Sequence, residues 1–346
     1  MPSIEGESTP LGRKLFDATR PFAKESRGKS WLHVASTLLL LGIVLALAAA
    51  IPWWPVRLGV SVLGGLMFVR AFILYHDFIH GSLLHGSRIA NAIFRVYGLI
   101  VLTPSRYWRY SHNFHHAHVG KPVTSEDSSF PLMTSDVGSF PLMTTHMWRE
   151  ASAWHRLRYR ISRHALTLLC AYGTVFLFSI CIVPLFKEPR KYWDGGLAIL
   201  LHGGIIVTIL VFAGFPALFF GFLLPFLIAA AMGAYLFYAQ HNYAGMHIVA
   251  AEEWTYYRGA TESSSYLKLG PILSWFTGNI GYHHVHHLNP IIPFYRLPEA
   301  MAGIPELQNP DVTTLRPRDI LSCLKLNLWD EAKQRLVSYR EAARAV

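Results

Sequence analysis

Apolar and polar positions in this 346-residue chain alternate on the scale of a bilayer, with long apolar runs separated by short polar or basic segments. A polar arm, residues 1–30, carries Arg13, Lys14, Arg20, Lys24, Arg27 and Lys29 and reads as cytosolic and partly disordered. Residues 31–51 are then almost purely apolar, long enough to cross a hydrocarbon core of about 30 Å. PWWP at 52–55 predicts a turn with interfacial tryptophans. Residues 56–75 return across the membrane, with Arg70 near the inner end, where its long side chain can snorkel to the interface. Residues 89–102 are apolar but short, and read as an interfacial or re-entrant segment. A polar loop, 119–150, repeats SFPLMT at 129–134 and 139–144. The plain reading is a duplication lying on the membrane surface, and the sharper one a lid.

Three apolar runs follow, at 164–186, 196–212 and 216–238. The first is preceded by RLRYRISRH and followed by KEPRK. The positive-inside rule places both flanks in the cytosol, so this run dips in and out or lies in the interface. The other two are joined only by Ala213, Gly214 and Phe215, an uncharged external turn. Beyond them, NPIIPFYRLP at 289–298 is a proline-broken extended stretch. Residues 314–346 alternate charged and apolar positions at helical spacing, which predicts a solvated amphipathic cap without catalytic role. The expected fold is all-α and integral to the membrane. It has four transmembrane helices in two hairpins, interfacial helices, and a cytosolic helical cap. Its parts are a cytosolic N-terminal arm (1–30), a membrane domain (31–300) and a C-terminal cytosolic helical segment (301–346).

The composition agrees with a membrane protein, being rich in apolar residues and low in charge. A net charge of +10 suits anionic lipid or an acidic redox partner as well as nucleic acid, and no nucleic-acid motif is present. Cys170, Cys181 and Cys323 form no C-x-x-C pair and no disulfide framework. Cys170 and Cys181, within an apolar run, read as small packing residues. The polar N-terminus is not a cleavable signal peptide, so the first apolar run directs insertion.

Histidine changes the picture. His76 and His80 stand at i, i+4 in HDFIH. His112, His115 and His116 form H-x-x-H-H in HNFHH, and His283, His286 and His287 repeat that pattern in HHVHH. On a helix these spacings place imidazoles on one face, and each cluster lies where an apolar run leaves the bilayer. Eight imidazoles exceed the needs of one ion, so two ions are the economical reading. Neither paired carboxylates nor cysteines accompany them, which excludes the carboxylate-bridged bundle and the zinc finger. Nitrogen-rich ligation without thiolate fits redox iron and leaves copper and zinc open.

The three motifs in this order, between apolar hairpins, resemble the membrane-bound fatty acid desaturase family. HDFIHGS and HNFHHAH are similar to its first two histidine boxes and DVGSFPLMT to the loop that follows. SSYLKLGPILSWFTGNIGYHHVHHLNPIIPFYRL resembles acyl-lipid desaturases of the Δ12 (ω-6) and Δ5 type. The resemblance spans residues 35–300. It implies a di-iron centre with nine histidine ligands: His76, His80, His112, His115, His116, His283, His286, His287 and, in AQHNY, His241. From the residues alone His241 is a lone histidine. Some relatives carry an asparagine one turn earlier that holds a water at one iron; this chain has Phe237 there, so that feature does not transfer. Asp77 and Asn279 read either as groups that orient ligands or as capping and surface residues. His33 and His202 within apolar runs, and His146, His155 and His164 in basic loops, take structural readings. His85, His118, His247 and His284 lie nearer the boxes but are not read as ligands.

The implied activity is dioxygen-dependent insertion of a cis double bond into a fatty acyl chain. The chain is carried by a membrane lipid or, as an alternative, by a thioester. No flavin or nicotinamide fingerprint and no fused cytochrome b5 domain is visible, so the electrons come from a separate ferredoxin or cytochrome b5. Arg106, Arg109, Arg156, Arg158, Arg160, Lys187, Arg190 and Lys191 either dock that donor or simply obey the positive-inside rule. The implied location is a bacterial inner membrane, with boxes and termini cytosolic. Two rivals share features of the sequence. One is a related di-iron hydroxylase acting on an alkyl chain or carotenoid. The other is a divalent-metal transporter, which would place its ligands near the bilayer midplane.

Overall fold

The computed structural model describes residues 10–120, 142–250 and 252–344, and these are mostly helical. Among the described residues, three helices are long and apolar enough to cross a membrane: Arg27–Ala50, Trp54–His80 and the 47-residue Asp194–Gln240. The first two form an antiparallel pair. Pro55 falls in the first turn of Trp54–His80, where its missing N–H costs nothing. Trp53 and Trp54 at the tip are exposed. At the other end Gly81 takes a left-handed conformation (φ 82°) and closes the helix onto the carbonyls of Asp77 and Phe78, a helix stop that glycine makes at little steric cost. At 1.5 Å per residue this helix is about 40 Å long. That exceeds a core of about 30 Å by nearly two turns, and His76 and His80 lie in the last two turns.

A helix of 47 residues would be about 70 Å long, more than twice the core thickness. It is not straight. Gly214 has φ 80° and ψ 170° inside it and Pro216 follows, so the helical path breaks within the expected turn at 213–215. The Ser61 hydroxyl donates to the Phe220 carbonyl at 2.7 Å, which sets this break beside the Trp53–Trp54 tip of the first pair. The apolar stretch Tyr172–Lys187 falls below the length of a full crossing and contains a π-helical segment, Tyr172–Ile182. The amphipathic helix Arg88–Ile100 is shorter still.

Several expectations change. Arg70 does not snorkel. It is buried, with its guanidinium donating to Thr37 Oγ1 at 3.1 Å and to the Trp275 carbonyl, and lying 3.8 Å from the Trp275 ring centre. Aromatic and carbonyl partners inside the bundle replace water, so the side chain has no reason to reach for the surface. The described part of the N-terminal arm includes a helix, Pro10–Thr19, whose Leu15 packs with Val285, Leu288, Ile292 and Leu297. The C-terminal segment is not a continuous helical cap. Helix Pro317–Lys325 is followed by an antiparallel hairpin, Leu328–Asp330 with Arg335–Val337. The carboxylate of Asp330 accepts from the Ala332 and Lys333 amides, a local side-chain turn that competes with helix. Cys181 packs in the core as expected, whereas Cys170 is exposed. The first SFPLMT copy and the first half of the second lie outside the described residues. Met143–Thr144, at its end, forms a strand parallel to Leu328–Asp330.

Candidate metal centre

Four chain segments meet at the end of helix Trp54–His80. His76 and His80 come from its last two turns. Helix Ser105–His118 supplies His112, His115 and His116, and the short helix His283–Leu288 supplies His283, His286 and His287. His241 follows directly on the helix ending at Gln240. All nine converge in two groups. One is His76, His80, His112, His116 and His286; the other is His115, His241, His283 and His287. In each group the ligand atoms lie within 4.8 Å of one another. The H-x-x-H-H spacing therefore does something other than aim three rings at one point. Each motif sends its i, i+4 pair to one group and its remaining histidine to the other. His112 and His116 go to the first group and His115 to the second; His283 and His287 go to the second and His286 to the first.

The donor set fits metal. In the first group Nε2 of His76 lies 2.8 Å from that of His112, and that of His116 lies 3.2 Å from His112 and 3.2 Å from His286. In the second, the Nε2 of His241 lies 2.8 Å from His283, 3.1 Å from His287 and 3.0 Å from His115. Nitrogens held about 2.1 Å from a shared ion and at right angles to one another stand about 3.0 Å apart. Ring nitrogens so arranged, with their lone pairs inward, repel unless a cation lies among them. The tautomer of His241 is fixed, because its Nδ1 donates to the Ser263 carbonyl at 2.9 Å, which leaves Nε2 as the free donor atom. Burial first, and neighbouring histidines second, push His112, His115, His116, His283, His286 and His287 well below the usual imidazole range. Burial lowers His241 to about 4. At neutral pH these rings are uncharged, the form that binds metal.

The surroundings hold the rings in place. Asp77 is buried; its Oδ1 accepts from His76 Nδ1 at 3.1 Å and its Oδ2 from the Phe294 amide at 2.8 Å. It thus orients a candidate ligand. Asn279 does not: its amide donates to the Phe294 carbonyl, and at φ 54° it shapes the turn before the third box. Trp108 stacks on His112 with ring centres 4.9 Å apart. Phe237 packs on His115 at 4.8 Å, so at this position the four-histidine group meets an apolar ring. His202 is a satisfied core histidine between the Tyr172 hydroxyl and the Ile100 carbonyl. His284, among the boxes, faces away and contacts the Leu307 carbonyl. Neither it nor His85, His118 or His247 belongs to either group.

An apolar cavity leads to the histidines. Phe68, Phe72 and Ile73 line one wall, Phe226, Ala230 and Gly233 another, and His76, His112 and His283 stand at its end. Sequence reading names none of these wall residues, since an apolar face turned to a cavity has the same periodicity as one turned to a neighbouring helix or to lipid. The usable signal is register: Phe68, Phe72 and His76 are spaced i, i+4, i+8.

Fold and site together define a protein with helices long and apolar enough to cross a membrane and two converging histidine groups that could hold metal, at the end of an apolar cavity. The family profile described as "Fatty acid desaturase" matches residues 52–316. A Bacillus subtilis protein named fatty acid desaturase is 32% identical over 290 residues, covering 82% of this chain and 77% of its own. An endoplasmic-reticulum omega-3 fatty acid desaturase of Vigna radiata is 26% identical, covering 83% and 76%. A Synechocystis protein named sn-1 acyl-lipid omega-3 desaturase (ferredoxin) is 25% identical, covering 83% and 77%. The chain belongs to the fatty acid desaturase family, and it is an oxidoreductase of that family.

Proposed function

We propose that this protein is an acyl-lipid desaturase with two iron ions. His76, His80, His112, His116 and His286 hold one ion, and His115, His241, His283 and His287 the other. The observation that carries this reading is the apolar cavity ending on two converging histidine groups. Two bound irons, with dioxygen and two external electrons, supply the oxidising power to remove two hydrogens from neighbouring methylenes, giving a cis double bond and water. The chain's own residues do the rest. Phe68, Phe72, Phe226 and the small residues opposite hold an extended alkyl chain and exclude water from the reacting carbons. Which methylenes meet the irons is then set by how deep the chain lies. The neutral imidazoles offer lone pairs and no acidic proton, so the electrostatics at the centre come from the ions.

In the membrane, the break at Gly214 divides the 47-residue helix into two crossings, making four in two hairpins. The tips at Trp53–Trp54 and Gly214 face outward, and the histidines, the termini and the basic loops face the cytosol, as the positive-inside distribution requires. A bacterial inner membrane is the host. The acyl chain enters on a membrane lipid and the electrons come from a ferredoxin-type donor, in keeping with two cyanobacterial relatives whose names specify an acyl-lipid and ferredoxin.

The test is expression in a bacterium lacking polyunsaturated lipids, with double bonds located by mass spectrometry and metal measured in the purified protein. A new cis double bond, about two irons per chain, and loss of product in His286→Ala are expected. An alcohol in place of the double bond would assign the chain to the hydroxylases, and zinc with metal uptake to a transporter.

A further inference from the structure

Resting on the reading of the nine histidines as ligands, we infer that Asn242 is the positioning residue of the four-histidine group. Through it, the C-terminal segment beyond residue 316 acts on the metal centre. The two groups are supported differently. The five-histidine group is built on regular helix, with a carboxylate behind His76. His241, in contrast, is the cap residue just past the end of its helix at Gln240, with φ −124° and ψ 12°; its backbone N–H still bonds the Tyr238 carbonyl, but the residue has left the helical register.

The next residue supplies what the helix lacks. Asn242 is buried and every polar atom of its side chain is engaged. Its amide group faces the Cys323 carbonyl at 2.7 Å, the Leu326 carbonyl at 2.9 Å and the Tyr238 hydroxyl at 3.0 Å. Its carbonyl accepts from the guanidinium of buried Arg163 at 2.5 Å. Three segments distant in sequence thus meet on the side chain that follows His241: the end of helix Ala153–Ser162, the last turn of the membrane helix, and the C-terminal helix with its exit.

Only a carboxamide satisfies this set. It offers N–H groups to two carbonyls and a carbonyl to a guanidinium, whereas aspartate would set a carboxylate against the carbonyls and an apolar residue would leave all of them unmet. Cys323 and Leu326 lie after residue 316, where the match to the family profile ends, so half of this clamp is made by chain outside the matched region. On the other side the Ser263 carbonyl holds His241 Nδ1. With Asn242 released, His241 keeps that side-chain bond and its backbone bond to Tyr238, and loses the anchor on the residue that follows it.

The experiment measures iron per chain and its rate of release to ferrozine in wild type, Asn242→Ala, Arg163→Met and Ser61→Ala. Changes behind a metal ligand weaken binding about 10–100-fold. Asn242→Ala should therefore retain about one iron of two, as is expected of His241→Ala, and release the second at least tenfold faster. Arg163→Met leaves the amide bonds in place and should release the same ion faster by a smaller factor. It serves alone if Asn242→Ala does not accumulate. Ser61→Ala cuts an interhelical bond at the far end of the bundle; it should lower thermal stability and keep both irons. Wild-type release rates in both Asn242→Ala and Arg163→Met, or loss of an iron in Ser61→Ala as well, would overturn the inference while the ligand reading stands. A wild-type protein that binds no iron pair overturns both.

Discussion

Replacing Asp77 by Asn separates shape from charge at the five-histidine group. The carboxylate accepts two hydrogen bonds in opposite directions, from His76 Nδ1 and from the Phe294 amide. An asparagine has one acceptor oxygen. If that oxygen faces Phe294, the NH2 faces His76 and drives its proton to Nε2, the atom 2.8 Å from His112 Nε2. A proton there takes the place of the metal bond. If the oxygen faces His76, the NH2 meets the Phe294 N–H, and two donors confront each other in a buried site. An unsatisfied buried donor costs about 1–3 kcal/mol. A lost carboxylate behind a histidine ligand costs about 10–100-fold in metal affinity, which is about 1.4–2.8 kcal/mol. Asp77→Asn should therefore lose the ion of the five-histidine group and keep the other. Asp77→Ala should do the same with a larger drop in thermal stability. The assay is iron content after chelator challenge, paired with unfolding temperature in detergent. An Asp77→Asn protein that keeps two irons at the wild-type release rate would show that the carboxylate does not orient His76 for metal.

Other expectations follow from the same geometry. His241 titrates at about 4 in the fold, against 6.5 for the free side chain, so unfolding takes up a proton between those values. The stability of chelator-stripped protein should be complete above pH 6.5 and fall as the pH drops towards 4, by about 1.4 kcal/mol per pH unit for each such histidine; a pH-independent melting profile across that window would contradict it. A Cβ added at Gly233 meets no atom within 4 Å, and Gly233 lines the cavity. Gly233→Leu should fill the cavity, cut desaturation of long chains or move the double bond, and leave the iron content unchanged. A Cβ at Gly281 would lie 2.3 Å from the Leu267 carbonyl. Gly281→Ala should cost about 1–3 kcal/mol and loosen the helix carrying His283, seen as a lower unfolding temperature and faster iron release.

Much of this site was legible because its spacing is periodic. Imidazoles at i, i+3 and i+4 announce a helix face with a task, and each box lies where an apolar run ends. How the boxes divide their histidines was not legible, since it depends on three helices approaching from different directions. His241 has no periodic partner and became a candidate only through family resemblance. Asp77 and Asn279 looked alike in sequence; a carboxylate beside a ring and a carboxamide tied to a distant carbonyl differ only in space. Arg70 misled because a charge near a helix end ordinarily reaches for water, and the partners that make burial tolerable, Thr37 and the Trp275 carbonyl, lie far off along the chain. The C-terminal hairpin was missed because its strands are three residues each, too short for alternation to be told from helical spacing.

The seat of the N-terminal helix bears on how the protein is made. Thr19 accepts a hydrogen bond from Asn289, 270 positions away, and Leu15 rests on Val285 and Leu288 between and beside the final histidines. The helix Pro10–Thr19 therefore has no place to settle until the chain through residue 297 has been translated. Assembly of the histidine-bearing end is thus a late event, and removing the helix Pro10–Thr19 should disturb packing around histidines that all lie downstream of it.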